Sequence, residues 1–155
     1  MASKIVNTDN VNRDNARPGE YRKVIEKIQS KGKCPFCPDN FLYHKKPILK
    51  RKDAWFLTEN SWPYKDTSHH LIIIGEKHKE NFSQLTSKDF QDVASLAKWA
   101  VREYRIQGGA LTMRFGNTNL TGASVAHIHF HIISPRQNKK TRLYKKIAFP
   151  IGQEK

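Results

Sequence analysis

The feature that most restricts this chain is a strict alternation near its end. His127, His129 and His131 take every second position, with Ala126, Ile128, Phe130 and Ile132 between them. Alternate side chains of a β-strand share a face. The pattern therefore predicts a strand from Val125 to Ser134, closed by Pro135, with a row of imidazoles on one side and an apolar face turned to a core. Neighbouring histidines in such a row stand about 6.5 Å apart, two strand rises, a spacing that fits a phosphate with its bridging oxygens. Neutral imidazole is a good nucleophile near pH 7, because its reference pKa lies about there. The same row could instead hold a metal, or be the wet face of a sheet.

The rest of the chain supplies elements to pack against that strand. Tyr21, Val24, Ile25 and Ile28 follow helical spacing between Pro18 and Gly32, a start and a stop for a short amphipathic helix. Ile48–Lys52 and Trp55–Glu59 are strand candidates turning at Asp53-Ala54, and the β-branched run His70–Ile74 reads as a buried strand. Ser87 looks like the N-cap of a long helix from Lys88 to about Gln107, with Phe90, Val93, Ala94, Ala97, Val101 and Tyr104 on one face. Ala110–Phe115 is a further strand, and Gly116–Ser124 a small-residue loop whose backbone N–H groups and hydroxyls suit an anion or an ordinary turn. The expectation is an α+β domain whose strands connect mostly in antiparallel fashion. It spans residues 18–135, after a flexible polar arm over 1–17 and before a basic tail over 136–155.

At 155 residues the chain suits one domain, and no apolar run approaches the roughly 20 residues that cross a bilayer. No signal-peptide pattern opens it, so a soluble, cytoplasmic protein is expected. The formal charge is +14, which favours an anionic partner: a nucleotide, a polyphosphate or nucleic acid. Cys34 and Cys37, in Cys34-Pro35-Phe36-Cys37, are the only cysteines. In a reducing compartment such a pair reads as a metal or redox site before a structural disulfide. A redox motif would need a strand-to-helix junction, and Pro38-Asp39-Asn40 following a helix does not supply one. Reduced, unliganded thiols are the third reading. His44 and His69 read as surface residues, and Trp55, Trp62 and Trp99 as core or interface.

At the histidine row the chain resembles the histidine triad (HIT) family. His127-Ile128-His129-Phe130-His131-Ile132-Ile133 fits that family's signature of three histidines alternating with apolar residues. Asn60-Ser61-Trp62-Pro63-Tyr64, His70–Ile74 and Lys77-His78 look like its run from a ribose-contacting Asp or Asn through a strand to a basic turn. Gly122-Ala123-Ser124-Val125-Ala126-His127 looks like its phosphate loop, and Cys34–Cys37 like the knuckle of some members. The likeness covers roughly residues 34–135. It implies an antiparallel sheet of about five strands with two helices, usually a homodimer, acting on a small nucleotide. The implied activity is that of a nucleotide hydrolase or nucleotidyltransferase cleaving phosphoanhydride or phosphoramidate bonds at the α-phosphate, through a nucleotidyl-histidine intermediate.

By the same likeness His129 attacks phosphorus, the carbonyl of His127 fixes its tautomer, and His131 holds a phosphate oxygen or the leaving group. Ser124, Gly122 and Asn117 would serve the phosphate, Asn60 the ribose, and Phe36 the base, while His70 would be a structural hydrogen-bonder. Cys34, Cys37, His78 and His127 would complete a structural zinc site. Two positions depart from the family: Ala123 stands where many members have Gln, and Gly116 occupies the place eleven before the first histidine that Asn or Gln often fills. Two competing functions are removal of adenylate from nucleic-acid 5′ ends, against which no separate DNA-binding module is visible, and nucleotide or RNA binding without turnover.

Overall fold

The structure, a computed structural model, describes residue 7 and residues 9–154. Five antiparallel strands form one sheet in the order β1-β2-β3-β5-β4. They are β1 (Ile48–Lys52), β2 (Trp55–Glu59), β3 (Thr67–Gly75), β4 (Ala110–Met113) and β5 (His129–Pro135). Three α-helices accompany them: α1 (Glu20–Lys31), α2 (Ser87–Glu103) and the single turn α3 (Thr118–Thr121). The α+β fold with an antiparallel sheet is as expected; α3 is additional. It lies inside the small-residue loop, where Thr118-Asn119-Leu120-Thr121 carries no helical periodicity to betray it.

The sheet is covered on both faces, which explains why β3 is apolar without alternation from Leu71 to Ile74. Leu71 and Ile73 face α2 in a core with Trp55, Leu57, Val93, Leu96, Ala100, Ile128, Phe130 and Ile132. Ile72 and Ile74 face the other way, with Phe56, toward Phe36 and Phe41 of the cysteine knuckle. A second cluster on this side joins Ile25 and Ile28 of α1 to Val11, Ala16 and Val125. β1 and β2 turn at the expected place, with Asp53 in the left-handed region at φ 48°.

Helix α2 differs from its expected limits. Its N-cap is Thr86, not Ser87: the Thr86 side chain accepts from the Asp89 N–H, and the Asp89 carboxylate accepts from the Thr86 N–H, a reciprocal capping box. Burial falls on Val93, Leu96 and Ala100, while Phe90 and Val101 are 39% and 42% exposed. The stripe is rotated from the expected one because the nearly inaccessible Leu96 centres it.

The expected last strand is also shorter. Residues 125–128 leave the sheet: Val125 bridges Val11, and the N–H groups of Ala126 and Ile128 donate to Asn10 and Lys79 carbonyls. The residues that differ most from expectation lie at the two ends. Of the polar arm over 1–17, residues 1–6 and 8 lie outside the described residues, and the described part is packed, with Val11 and Ala16 both buried. The described part of the basic stretch, residues 136–154, turns at Gln137–Tyr144 and returns beside His131 and Arg114. Among the described residues no helix is long and apolar enough to cross a membrane.

Candidate active site and metal centre

The inner face of β5 meets α1, the knuckle and the returning C-terminal segment around a cavity of about 430 Å³. Its apolar end is formed by Val24, Ile25, Ile28, Phe36, Tyr43 and Ile72, and its polar end by His129, His131, Asn60, Gly122 and Ser124. Four cations, Arg17, Lys65, Arg114 and Lys146, line it against the single carboxylate of Asp66. Part of the chain's positive charge is thus focused where an anionic ligand would sit.

His129 lies at the centre. Its Nδ1 is 2.8 Å from the carbonyl oxygen of His127. A carbonyl only accepts, so Nδ1 carries the proton and Nε2 keeps its lone pair. That Nε2 makes no hydrogen bond among the described residues and belongs to a ring lining the cavity. Burial chiefly, and the Arg114 charge in smaller part, lower the His129 pKa to about 4 against the opposing backbone hydrogen bond. The ring is therefore neutral at pH 7, as a nucleophile must be. Phe36 packs edge-on against it with centroids 4.9 Å apart.

The other expected site residues divide. Phe36, Asn60, Gly122, Ser124 and His131 all line the cavity. The Ser124 hydroxyl is hydrogen-bonded to the Tyr21 hydroxyl. Asn60 is engaged locally, its Oδ1 accepting from the Trp62 N–H at 2.8 Å. Asn117 is not brought to the cavity. It caps α3, accepting from the Asn119 N–H at 2.9 Å, and lines a separate surface depression with Asn12 and Glu26. His44 also differs from its expected surface position. It is half-buried between Thr58 and Ser61 and stacks on Phe41, and burial lowers its pKa to about 4. Trp55 is core, as expected, while Trp62 lines the cavity.

Three contributors have no signature in the sequence. Arg17 donates to the carbonyls of Trp62 and Pro63 and lies 4.8 Å over the Tyr64 ring. Arg114 donates to the Pro150 carbonyl and lies 3.9 Å over Phe149. Phe149 in turn packs edge-on against His131 at 5.3 Å. Residues 146–148 and 150 therefore form a wall of the cavity. Gly122 is needed where this segment returns: at φ 77° a Cβ would stand 2.5 Å from the Gly152 oxygen.

Beneath the cavity the expected metal residues converge. Ligand atoms of Cys34, Cys37, His78 and His127 all lie within 4.8 Å of one another. The Nδ1 of His127 is 3.4 Å from Cys34 Sγ and 3.8 Å from Cys37 Sγ, and the Nδ1 of His78 is 3.5 Å from Cys37 Sγ. Ligands on a tetrahedron around zinc, with bonds of 2.0–2.3 Å, stand about 3.5 Å apart. The far nitrogens are satisfied as metal-bound histidines require: His127 Nε2 donates to the Gly75 carbonyl at 2.6 Å, and His78 Nε2 to Glu80 Oε1 at 2.9 Å. Both rings thus turn bare Nδ1 lone pairs toward the sulfurs. Both cysteines are free thiols, and burial pushes Cys34 up to about 12 and Cys37 upward. The donor set and its spacing make the cluster compatible with zinc.

An imidazole row over a cation-lined cavity, carried by a five-stranded antiparallel sheet, defines a class, and the sequence comparison agrees with it. The model of the HIT domain matches residues 45–138, so the chain belongs to the HIT domain family. Among solved structures it is similar to a histidine triad nucleotide-binding protein from Candida albicans (TM-score 0.56, 16% identity, covering 79% of this chain and 87% of that one). It is also similar to a zinc-bound histidine triad family protein from Mycobacterium smegmatis (TM-score 0.51, 18% identity, 71% and 79% covered). A HIT family hydrolase from Clostridium thermocellum gives a TM-score of 0.50 at 21% identity, with 65% and 89% covered. At these identities the likeness is one of fold. Among curated proteins, none matches.

Proposed function

We propose that the protein is a nucleotide hydrolase or nucleotidyltransferase that forms a nucleotidyl intermediate on His129. The observation that carries this reading is the His129 ring: neutral, its tautomer set by the His127 carbonyl, its Nε2 lone pair unengaged in a cation-lined cavity. The apolar end takes the base, against Phe36. In the first step His129 Nε2 bonds to the α-phosphorus, and the bond from phosphorus to the leaving group breaks with its electron pair. His131 supplies a hydrogen bond or proton to that departing atom. Water then attacks the nucleotidyl-histidine, releasing a nucleoside monophosphate and restoring His129; another acceptor in place of water makes the reaction a transfer. Two displacements, each helped by preorganised charge, replace one harder one. Arg17, Arg114 and Lys146 stabilise the negative charge, and Ser124 donates to the phosphate.

The proposal includes a structural zinc ion held by Cys34, Cys37, His78 and His127, which would pin the knuckle to the strand carrying His129 and take no part in the displacement. It also includes a homodimer. The outer edge of β4 pairs with no strand among the described residues, and exposed Leu111 and Phe115 lie along it or just beyond it. The free thiols fit a cytoplasmic setting.

Incubation with dinucleoside polyphosphates and nucleoside phosphoramidates carrying a radioactive α-phosphate should leave acid-labile label on the wild-type chain. His129→Ala should abolish label and turnover while keeping nucleotide affinity. Turnover of a free dinucleotide supports the reading. Activity confined to adenylated nucleic-acid ends would make it a deadenylase, and binding without turnover would make it a binding module. Normal activity in His129→Ala would refute the nucleophile.

A further inference from the structure

The polar arm before α1 lies along the small-residue loop beside the cavity. The Asn12 N–H donates to the Ser124 carbonyl and the Ala126 N–H to the Asn10 carbonyl, both at 2.9 Å. Three residues further on, the Asn15 side chain closes over the loop. Its Nδ2 donates to the Thr118 carbonyl at 2.8 Å and to the Ala123 carbonyl at 2.7 Å, which uses both of its N–H bonds. Its Oδ1 accepts from Gln153 Nε2 at 2.6 Å. One amide thus ties the arm, the loop and the returning C-terminal segment together. Asn15 lines the cavity, as do Ala123, Ser124 and Val125. This grip fixes two peptide planes. In a trans peptide the C=O and the N–H point in opposite directions, and no peptide bond among the described residues is cis. With the Ala123 carbonyl held by Asn15 and the Ser124 carbonyl by Asn12, the N–H groups of Ser124 and Val125 point away from the atoms that hold those carbonyls. Neither N–H makes a hydrogen bond among the described residues, although Val125 is only 5% exposed. Buried N–H groups are almost always paired, with protein, water or ligand. The space that both residues border is the cavity.

We infer that Asn15 is a positioning residue for the reaction: by holding the Ala123 carbonyl, it keeps the Ser124 N–H turned to the phosphate that His129 attacks. The inference rests on the proposed nucleotidyl transfer for its chemistry, and on hydrogen-bond geometry for the orientation of the loop. Asn15 lies outside residues 45–138, which the HIT domain model matches, so this support is supplied by a segment added before the domain. A backbone donor fixed before the ligand arrives needs no reorganisation as charge develops on the phosphate oxygens. Ala123 brings no polar side chain to the cavity, so at this point the loop offers its backbone and the Ser124 hydroxyl. A side-chain amide suits the task. Lysine would bring donors but no acceptor for Gln153, and aspartate would set a carboxylate against two carbonyls and beside the phosphate.

Orientation can be tested without turnover, in ¹H–¹⁵N correlation spectra of the full His129→Ala chain titrated with AMP and GMP in turn. The Ser124 amide proton should move downfield on binding, as a new hydrogen bond to an anion requires, and should exchange more slowly with solvent. Adding Asn15→Leu, a neutral side chain of similar size with no donor, should abolish that shift. With His129 in place, Asn15→Leu should lower kcat about tenfold to a hundredfold, somewhat less than outright loss of a charge-stabilising donor, with a much smaller change in KM. Asn15→Gln, which keeps the amide, should recover part of the loss. Gln153→Ala cuts the tie to the C-terminal segment but leaves both carbonyls held, and should raise KM while changing kcat little. A Ser124 amide that responds to neither nucleotide, or wild-type kcat in Asn15→Leu, would overturn the inference. Loss of kcat in proportion to loss of Tm, with the Ser124 shift intact and no rescue by Gln, would reduce Asn15 to a packing residue. An Asn15-dependent Ser124 shift in a protein that never acquires nucleotidyl label would overturn the proposed function and leave the positioning of the loop standing.

Discussion

Removing the zinc proposed for the cysteine–histidine cluster should cost this protein a measurable part of its stability. The cluster joins Cys34 to His127 across 93 residues and Cys37 to His78 across 41. Constraining a denatured chain over loops of this size is worth about 4–5 kcal/mol by chain entropy alone. Packing of the knuckle through Phe36 and Phe41 survives in the metal-free protein, and unfolded Cys and His retain some metal affinity, so about 3 kcal/mol is the expected net loss. For a chain of this length each kcal/mol lowers Tm by about 2–4 °C, giving a drop of about 10 °C. Scanning calorimetry of protein as purified, after chelation, and of Cys37→Ser would measure it, alongside metal analysis expected to find about one zinc per chain. Because both thiols must ionise to bind metal, and burial holds Cys34 up at about 12 without it, metal binding should release protons and weaken as pH falls. Full Tm after chelation, with no metal found in gently purified protein, would refute the reasoning.

Two further outcomes are expected. Phe149→Ala removes the ring between Arg114 and His131; it should raise KM severalfold and broaden leaving-group tolerance while leaving Tm nearly unchanged, and unaltered kinetics would deny the C-terminal segment a place in the site. Stability should also fall in acid. His44, lowered to about 4, and His70, lowered to about 3, are neutral when folded, and both are lowered chiefly by burial. Their unfolded values lie near 6.5, so below that pH the unfolded state binds more protons, and stability is lost as pH falls toward the folded values. The slope is at most about 1.4 kcal/mol per pH unit for each histidine, and less for the partly exposed His44. Urea midpoints that do not change between pH 7 and pH 5 would contradict this.

How much of the molecule was legible in its sequence follows from where each feature's physics resides. Periodicity is local. Strand β5, the hairpin at Asp53, the stop of α1 at Gly32 and the buried β3 could be read because solvent on one side and apolar packing on the other impose a repeat of 2 or 3.6 along the chain. The helix cap moved by one residue and the α2 stripe rotated because Thr86 and Ser87 both suit a cap, and several near-equivalent stripes compete around one helix. The cysteine–histidine cluster and the histidine row were legible through a family resemblance, since such chemistry needs fixed residue types at fixed spacing.

Contacts between distant segments were not legible. Nothing in Asn117 says that it caps a helical turn outside the cavity, and nothing in a basic C-terminal stretch says that residues 146–150 return to wall the site. Three alternating histidines look equivalent in sequence. The Gly75 carbonyl behind the first, the His127 carbonyl behind the second and the His70 ring behind the third give them different partners, on which the proposed roles of metal ligand and nucleophile rest. The chain by itself determined that imidazoles alternate with apolar residues into one strand, although His127 stands just before its start. Only tertiary structure decided which nitrogen of each carries the proton, because that choice belongs to the partner atom and not to the residue.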